Sequence, residues 1–199
     1  MIQGKNITKR QGKNIIFSDL SFSFPDHGIV LLVGDNGMGK TSLLFIIALL
    51  DEAFAGTLLI NGANPKALSY KKREAFRTDT VLYNAPSGNF LDSLNLKENV
   101  LLFSEDTKKI NVHDIDLTKT HHQISGGEEQ LLTVQRCFYT SKPIILFDEI
   151  TSFLNDENTN IVMDLLKGLS KEKLIIIASH DPRIWPYADD ILNMEPHHD

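Results

Sequence analysis

Gly34-Asp35-Asn36-Gly37-Met38-Gly39-Lys40-Thr41 fits the pattern G-x-x-x-x-G-K-[ST] of a phosphate-binding loop. Before it, Ile29-Val30-Leu31-Leu32-Val33 is a short apolar run rich in β-branched residues and reads as a buried strand. After it, Ser42 to Leu50 is apolar beyond its first residue and reads as a buried helix. Strand, glycine loop and helix in that order form the setting the motif needs. The glycines let consecutive backbone N–H groups turn inward around an anion with no Cβ in the way. The helix adds the positive end of its dipole at the same point. On this reading Lys40 reaches the β- and γ-phosphates of a nucleotide, and the Thr41 hydroxyl ligates Mg²⁺.

The rest of the composition narrows the class. A chain of 199 residues, 42% of them hydrophobic, suits one domain with a full core. A net charge of −6 offers no cationic face for nucleic acid. A single cysteine, Cys137, excludes an internal disulfide framework and any multi-cysteine zinc site, and suits a reducing compartment. Lys5, Lys9, Arg10 and Lys13 near the N-terminus flank no apolar core, so a secretory signal is not expected. The longest apolar run, Leu43 to Leu50, falls well short of the roughly 20 residues a membrane span needs. The expectation is a soluble, cytoplasmic chain whose membrane role, if it has one, comes through a partner.

Residues 1–28 alternate short apolar runs with polar turns, which predicts antiparallel strands leading into the phosphate-loop strand. Thr57-Leu58-Leu59-Ile60 ahead of Asn61-Gly62 predicts a further strand and turn that pair with them. Lys66, Lys71, Lys72, Arg73 and Arg77 read as a solvated helix face. Val81-Leu82-Tyr83 reads as a buried strand, and a helix is expected near Leu96 within an irregular stretch over 84–124. His113, His121 and His122 read as surface histidines, because no carboxylate or cysteine stands at ligand spacing in the sequence.

Ser125-Gly126-Gly127-Glu128 predicts a capping box opening a helix that runs to about Thr140. Two glycines in a first turn are costly, and they let another surface approach the N–H groups, which points to a second anion site. Ile144-Ile145-Leu146-Phe147-Asp148-Glu149 is a strand ending in two acids, which must project at the carboxyl edge where open parallel sheets bind ligands. There Asp148 is positioned to hold Mg²⁺ and Glu149 to polarise an attacking water. Leu174 to Ala178 predicts a neighbouring strand that delivers His180 towards the γ-phosphate, with Ile161 to Leu169 as the crossing helix.

Taken together these residues resemble the ATP-binding subunit of ABC transporters over nearly the whole chain. GDNGMGKT looks like that family's Walker A motif, ISGGE its signature, and IILFDE its Walker B motif with the catalytic glutamate. Ser152-Phe153-Leu154-Asn155 falls at the D-loop and His180 at the switch histidine. The resemblance implies an α/β phosphate-loop NTPase of the ABC type. It would have a mainly parallel sheet core, an antiparallel β subdomain, and a small, shortened helical subdomain over about 87–140, all within one domain of residues 1–199. It implies that Gly34, Asp35, Asn36, Gly37, Met38, Gly39, Lys40, Thr41 and Ser42 bind ATP, with Thr41 and Asp148 on Mg²⁺. Lys40, Glu149 and His180 would be catalytic. It further implies a head-to-tail dimer, homo- or heteromeric, in which Ser125, Gly126, Gly127 and Glu128 meet the partner's nucleotide. A separate transmembrane permease would hold the dimer at the inner face of the membrane, and an exporter is the direction expected.

Departures from the family pattern are specific. Its Q-loop glutamine, which ligates Mg²⁺ and couples to the membrane subunit, falls on Pro86, with Asn84 as the nearest amide that could replace it. Its adenine-stacking aromatic falls near Gln11, with Phe17 as a candidate substitute; Asn155 stands where the D-loop has aspartate. Two rival readings follow: a regulatory nucleotide-binding subunit that turns over slowly or not at all, and a soluble ABC ATPase without a transport role.

Overall fold

The structure, a computed structural model, describes residues 1–103 and 115–194. The chain opens with β1 (Ile2–Gln11) and β2 (Asn14–Phe24), which run into β3 (Gly28–Val33) and the phosphate loop. Then come α1 (Lys40–Ile47), β4 (Phe54–Ile60), α2 (Tyr70–Thr80), β5 (Val81–Asn84), α3 (Leu96–Leu101) and α4 (Gly126–Arg136). The chain continues through β6 (Ile144–Asp148), α5 (Asp156–Leu169), β7 (Leu174–Ala178) and β8 (Asp190–Asn193). His113, read above as a surface histidine, lies outside the described residues.

Two sheets result. β2, β1 and β4 make an antiparallel three-stranded sheet in that order. β5, β6, β7, β3 and β8 make a parallel five-stranded sheet in that order. As expected, β4 pairs with β1 and ends in a turn where Asn61 and Gly62 both take positive φ, 51° and 77°. β8 is a strand the sequence did not announce, because Asp190 and Asn193 leave only Ile191 and Leu192 as apolar signal.

β3, β6 and β7 are buried on both faces, and their alternation divides the core. Val30, Leu32, Leu146 and Ile176 point to one face, where they meet Leu43, Leu44, Ile46 and Ile47 of α1 and Ile7, Phe17 and Leu58 from the antiparallel sheet. Ile29, Leu31, Ile145, Phe147, Ile175 and Ile177 point to the other, against Val162, Met163, Leu166 and Leu169 of α5. Those α5 positions recur at helical spacing, and each fully buried apolar side chain contributes about 1.5–3 kcal/mol relative to exposure. α5 starts earlier than the apolar pattern indicated, because Asn155 caps it by accepting from the Asn158 N–H at 2.8 Å.

A third, smaller cluster of Phe90, Leu96, Val100, Ile115 and Leu132 ties α3 to α4. With the parallel sheet so placed, the carboxyl ends of β3, β6 and β7 come together at one edge.

Candidate functional site

The phosphate loop leaves β3 through Gly34 at φ +144°, passes Gly37 and Gly39 at φ +87° each, and enters α1. At Gly39 the glycine is required twice over. The left-handed φ strains any other residue, and a Cβ would sit 2.6 Å from Ile16 Cγ2 and 2.7 Å from Phe17 Cδ1. A Cβ at Gly37 would meet nothing, so this part of the loop faces open space. Above it lies a cavity of about 350 Å³ lined by Gln11, Ile16, Asn36, Gly37, Lys40, Thr41, Ser42 and Glu149. Lys40 is buried at its base, its Nζ donating to the Gly34 carbonyl at 2.7 Å and the Asp35 carbonyl at 3.1 Å. Asp35 and Asn36 are exposed, and Met38 packs partly against the core.

Asp148, the last residue of β6, is buried and closes one side of this site. Its carboxylate accepts from Thr41 Oγ1 at 3.2 Å and from the Tyr83 hydroxyl at 3.3 Å. Burial holds its carboxyl above the usual range and Glu149 pushes the same way; Thr41, Tyr83 and Lys40 oppose the shift without cancelling it. Burial also pushes the Tyr83 phenol up, reinforced by the adjacent Asp148 charge. A hydroxyl and a buried, under-compensated carboxylate at this distance are a hard-oxygen donor pair that fits Mg²⁺.

Glu149 follows at φ +53°, a left-handed conformation that a non-glycine residue adopts only when its surroundings impose it. The Glu149 N–H donates to the Ala178 carbonyl at 2.9 Å, which fixes the turn onto β7. Its carboxylate accepts from Ser179 Oγ at 3.3 Å and meets His180 Nδ1 at 3.1 Å. The structure thus brings Lys40, Thr41, Asp148, Glu149 and His180 to one edge, along with Tyr83, which sequence reasoning had read only as strand core. The signal for Tyr83 was its place one residue before the end of β5, which pairs directly with β6.

Ser125, Gly126, Gly127 and Glu128 stand elsewhere, at the start of α4. The capping box forms in full: Ser125 Oγ accepts from the Glu128 N–H at 3.2 Å, and Glu128 Oε2 accepts from the Ser125 N–H at 2.8 Å. Ser125 and Gly126 are exposed, and the Gly126–Gly127 pair lies against Phe153, Leu154 and Asn158. Phe153 itself stands 62% exposed beside them.

Two substitutes considered from sequence are corrected by the structure. Asn84 is fully buried, donating to the Leu146 carbonyl at 3.2 Å and accepting from Arg136 Nη2 at 3.0 Å, so it is committed to the core. Phe17 is buried beneath Gly39 and is not free to stack on a base. Pro86 accepts at its carbonyl from Gln130 Nε2 at 3.0 Å. Arg136 donates to the Asn89 carbonyl and lies over the rings of Phe90 and Phe103 at 4.8 and 4.5 Å, with burial pushing its guanidinium down to about 10.

A parallel sheet with a phosphate loop at the carboxyl end of one strand, and paired acids at the end of another, defines a phosphate-loop nucleotide-binding protein. The family model described as ABC transporter matches residues 17–152, and the chain belongs to the ABC transporter family, as one of its ATP-binding cassettes. The lipoprotein-releasing system ATP-binding protein LolD of Buchnera aphidicola is 31% identical over 186 residues, covering 85% of this chain and 81% of its own. The macrolide export ATP-binding/permease protein MacB of Campylobacter jejuni is 29% identical over 211 residues, or 98% of this chain; the match spans only 33% of that relative's length. The probable iron export ATP-binding protein FetA of Escherichia coli is 27% identical over 207 residues, covering 99% of this chain and 92% of its own. The fold is shared with the ATP-binding cassette MJ0796 in a dimeric post-hydrolysis state bound to ADP and Pi, at a TM-score of 0.81 and 23% identity, covering 97% of this chain and 94% of that one. Among the described residues no helix is long and apolar enough to cross a membrane.

Proposed function

We propose that this chain binds Mg·ATP, dimerises head to tail on it, hydrolyses it, and so drives a transmembrane permease, as an exporter subunit. The observation that carries the reading is the pairing of Glu149 with His180 at the edge where Lys40, Thr41 and Asp148 converge. The loop N–H groups from Gly34 to Ser42 and the N-terminus of α1 receive the phosphates. Lys40, released from its two loop carbonyls, supplies a positive charge to the β- and γ-oxygens. Thr41 and Asp148 would hold Mg²⁺, which when bound neutralises charge on the phosphate oxygens. Glu149 accepts the proton of the attacking water as general base, and His180 orients the Glu149 carboxylate and faces the γ-phosphate. Positioning and charge stabilisation supply most of the rate.

Ser125, Gly126, Gly127 and Glu128 meet the nucleotide held by the second cassette, the two glycines through their N–H groups; the exposure of Ser125 and Gly126 supports this. Residues 87–140, with the third core cluster, form the helical subdomain within a single domain of residues 1–199. The groove beside it, along which Leu91, Leu102 and Phe138 stand exposed, receives the permease at the cytoplasmic face of the membrane. Two relatives whose printed names carry export, MacB and FetA, support an outward direction. A slow, regulatory cassette is the second reading, favoured by Pro86 at the Q-loop position and by the commitment of Asn84 to Arg136.

The test is the elution volume of the Glu149→Gln variant in size-exclusion chromatography with and without Mg·ATP. A dimer that forms only with nucleotide, and fails to form when Lys40→Ala is added, is the result expected. No nucleotide-dependent change, or the same change without Lys40, would overturn the assignment.

A further inference from the structure

Asp92, His121 and His122 lie 29 and 30 residues apart in the sequence, yet their ligand atoms all fall within 4.8 Å of one another. His121 Nε2 stands 3.3 Å from Asp92 Oδ1, and His122 Nε2 stands 3.8 Å from Asp92 Oδ2. The reading of these histidines as lacking a carboxylate at ligand spacing is therefore corrected: the carboxylate arrives through the fold. We propose that these three side chains form a binding site for a divalent transition-metal ion of the Zn²⁺ class, outside the nucleotide site.

Four observations carry it. The 3.3 Å separation of His121 from Asp92 is that of two donors on one ion, which lie a little over 3 Å apart, and the remaining ligand atoms stand close enough, within 4.8 Å, to reach the same ion by side-chain rotation. Two imidazoles and one carboxylate form a donor set that suits Zn²⁺ and its neighbours, and not Mg²⁺, which takes oxygen.

The site is also held in place before any ion arrives. Asn99 of α3 accepts from the Leu91 N–H at 2.8 Å and donates to the carbonyls of Leu91, Leu94 and Asn95, which pins the loop carrying Asp92. The first turn of the same helix pins the other half: the Leu96 N–H donates to the Lys119 carbonyl at 2.8 Å and the Lys97 N–H to the Leu117 carbonyl at 3.0 Å. From there the Thr120 N–H donates to Gln123 Oε1 at 2.9 Å and the Gln123 N–H to the Thr120 carbonyl at 3.0 Å, which shapes the turn bearing both histidines. A site ordered in advance binds without the entropy of assembling its ligands.

The third observation is the crowding of the two rings, whose centroids lie 3.9 Å apart. One shared cation would be within reach of both rings and of the carboxylate. The fourth is the asymmetry of His121. Its side chain is 17% exposed and stacked along Phe90, with Nδ1 buried and Nε2 turned to Asp92. His122 and Asp92 are open to solvent at 66% and 75%, which gives an ion its entry.

An ion held here would fasten the loop of Asp92 to the turn that runs through Ile124 into Ser125, the start of α4. The experiment is calorimetric titration of Zn²⁺ into the full-length, tag-free, chelator-treated chain, followed by Co²⁺ absorption as a readout of nitrogen coordination. Asp92→Asn and His122→Ala are each made at exposed positions, and each is checked for an unchanged circular dichroism spectrum. A double variant, His197→Gln with His198→Gln, separates the site from the histidine pair near the C-terminus. Saturable one-site binding that weakens at least about 10- to 100-fold in Asp92→Asn and in His122→Ala, and persists in the double variant, is the result expected. Absence of saturable binding, binding indifferent to Asp92 and His122, or binding lost with His197 and His198 would each overturn the proposal.

Discussion

The carboxyl edge of the parallel sheet and the region around the end of β5 are both rich in polar side chains and use them in opposite ways. At the edge, Lys40, Thr41 and Glu149 line an open cavity, and Glu149, in a left-handed conformation, pairs with His180. Around the end of β5, Asn84 of the strand, Asn89 of the loop, Asn99 of α3 and Gln130 of α4 turn inward to backbone carbonyls and to Arg136, holding the loop down. Amides turned inward in this way stabilise a chain path; among them Gln130 Oε1 is buried without a hydrogen-bond partner among the described residues, while Asn84 uses both its amide nitrogen and its oxygen within the core. The difference teaches that the family's coupling glutamine has not simply moved to Asn84.

Substitutions can break this contrast. Gly39→Ala should have the largest effect on stability, about 2–4 kcal/mol from left-handed strain plus overpacking against Ile16 and Phe17. Urea denaturation checks it, and a change near zero would mean that the loop is free to shift. Asn84→Ala should come next. It removes the Asn84 donor to the Leu146 carbonyl and the acceptor of Arg136 Nη2, a loss of about 1–3 kcal/mol. Its turnover per folded molecule should hold, since Asn84 does not face the site.

Tyr83→Phe sharpens the comparison, because Tyr83 sits on β5 and yet touches Asp148. Losing that hydrogen bond should cost about 0.5–1.5 kcal/mol of stability and lower turnover less than about tenfold.

The smallest effect concerns pH. Lys167 donates to Asp189 at 2.7 Å, and the Ile29 N–H donates to it as well, at 2.8 Å. These hold its carboxyl below the usual range, the Lys167 hydrogen bond foremost. Because the folded value is the lower one, this stabilisation is complete above the unfolded value of about 3.9 and is lost as pH falls through the folded value. The gap in unfolding midpoint between the native chain and Asp189→Asn should therefore be visible at neutral pH and shrink towards pH 3, as judged by urea midpoints at the two pH values.

Much of this was legible because the signals are local. The phosphate loop lies between its strand and helix as its letters require, and Ser125 and Glu128 form both bonds of the capping box three residues apart. Asp148 and Glu149 sit at a strand end because a strand interior cannot hold two acids. The rest depends on contacts distant in sequence. Arg136 reaches Asn84 across 52 positions, Phe17 is claimed by Gly39, and Asp92 meets two histidines on the far side of α3. None of these leaves a periodicity or a spacing to read. β8 left no signal in the sequence for a related reason: its place in the sheet comes from the pairing with β3, and its own residues are half polar.

The most direct measurement is phosphate release from Mg·ATP by the native chain, Glu149→Gln and Asn84→Ala, side by side at equal folded concentration. The account predicts turnover by the native chain, a fall of at least about 100-fold in Glu149→Gln, and turnover within a few-fold of native in Asn84→Ala. Turnover in Glu149→Gln equal to the native rate, or Asn84→Ala as inactive as Glu149→Gln, would contradict it.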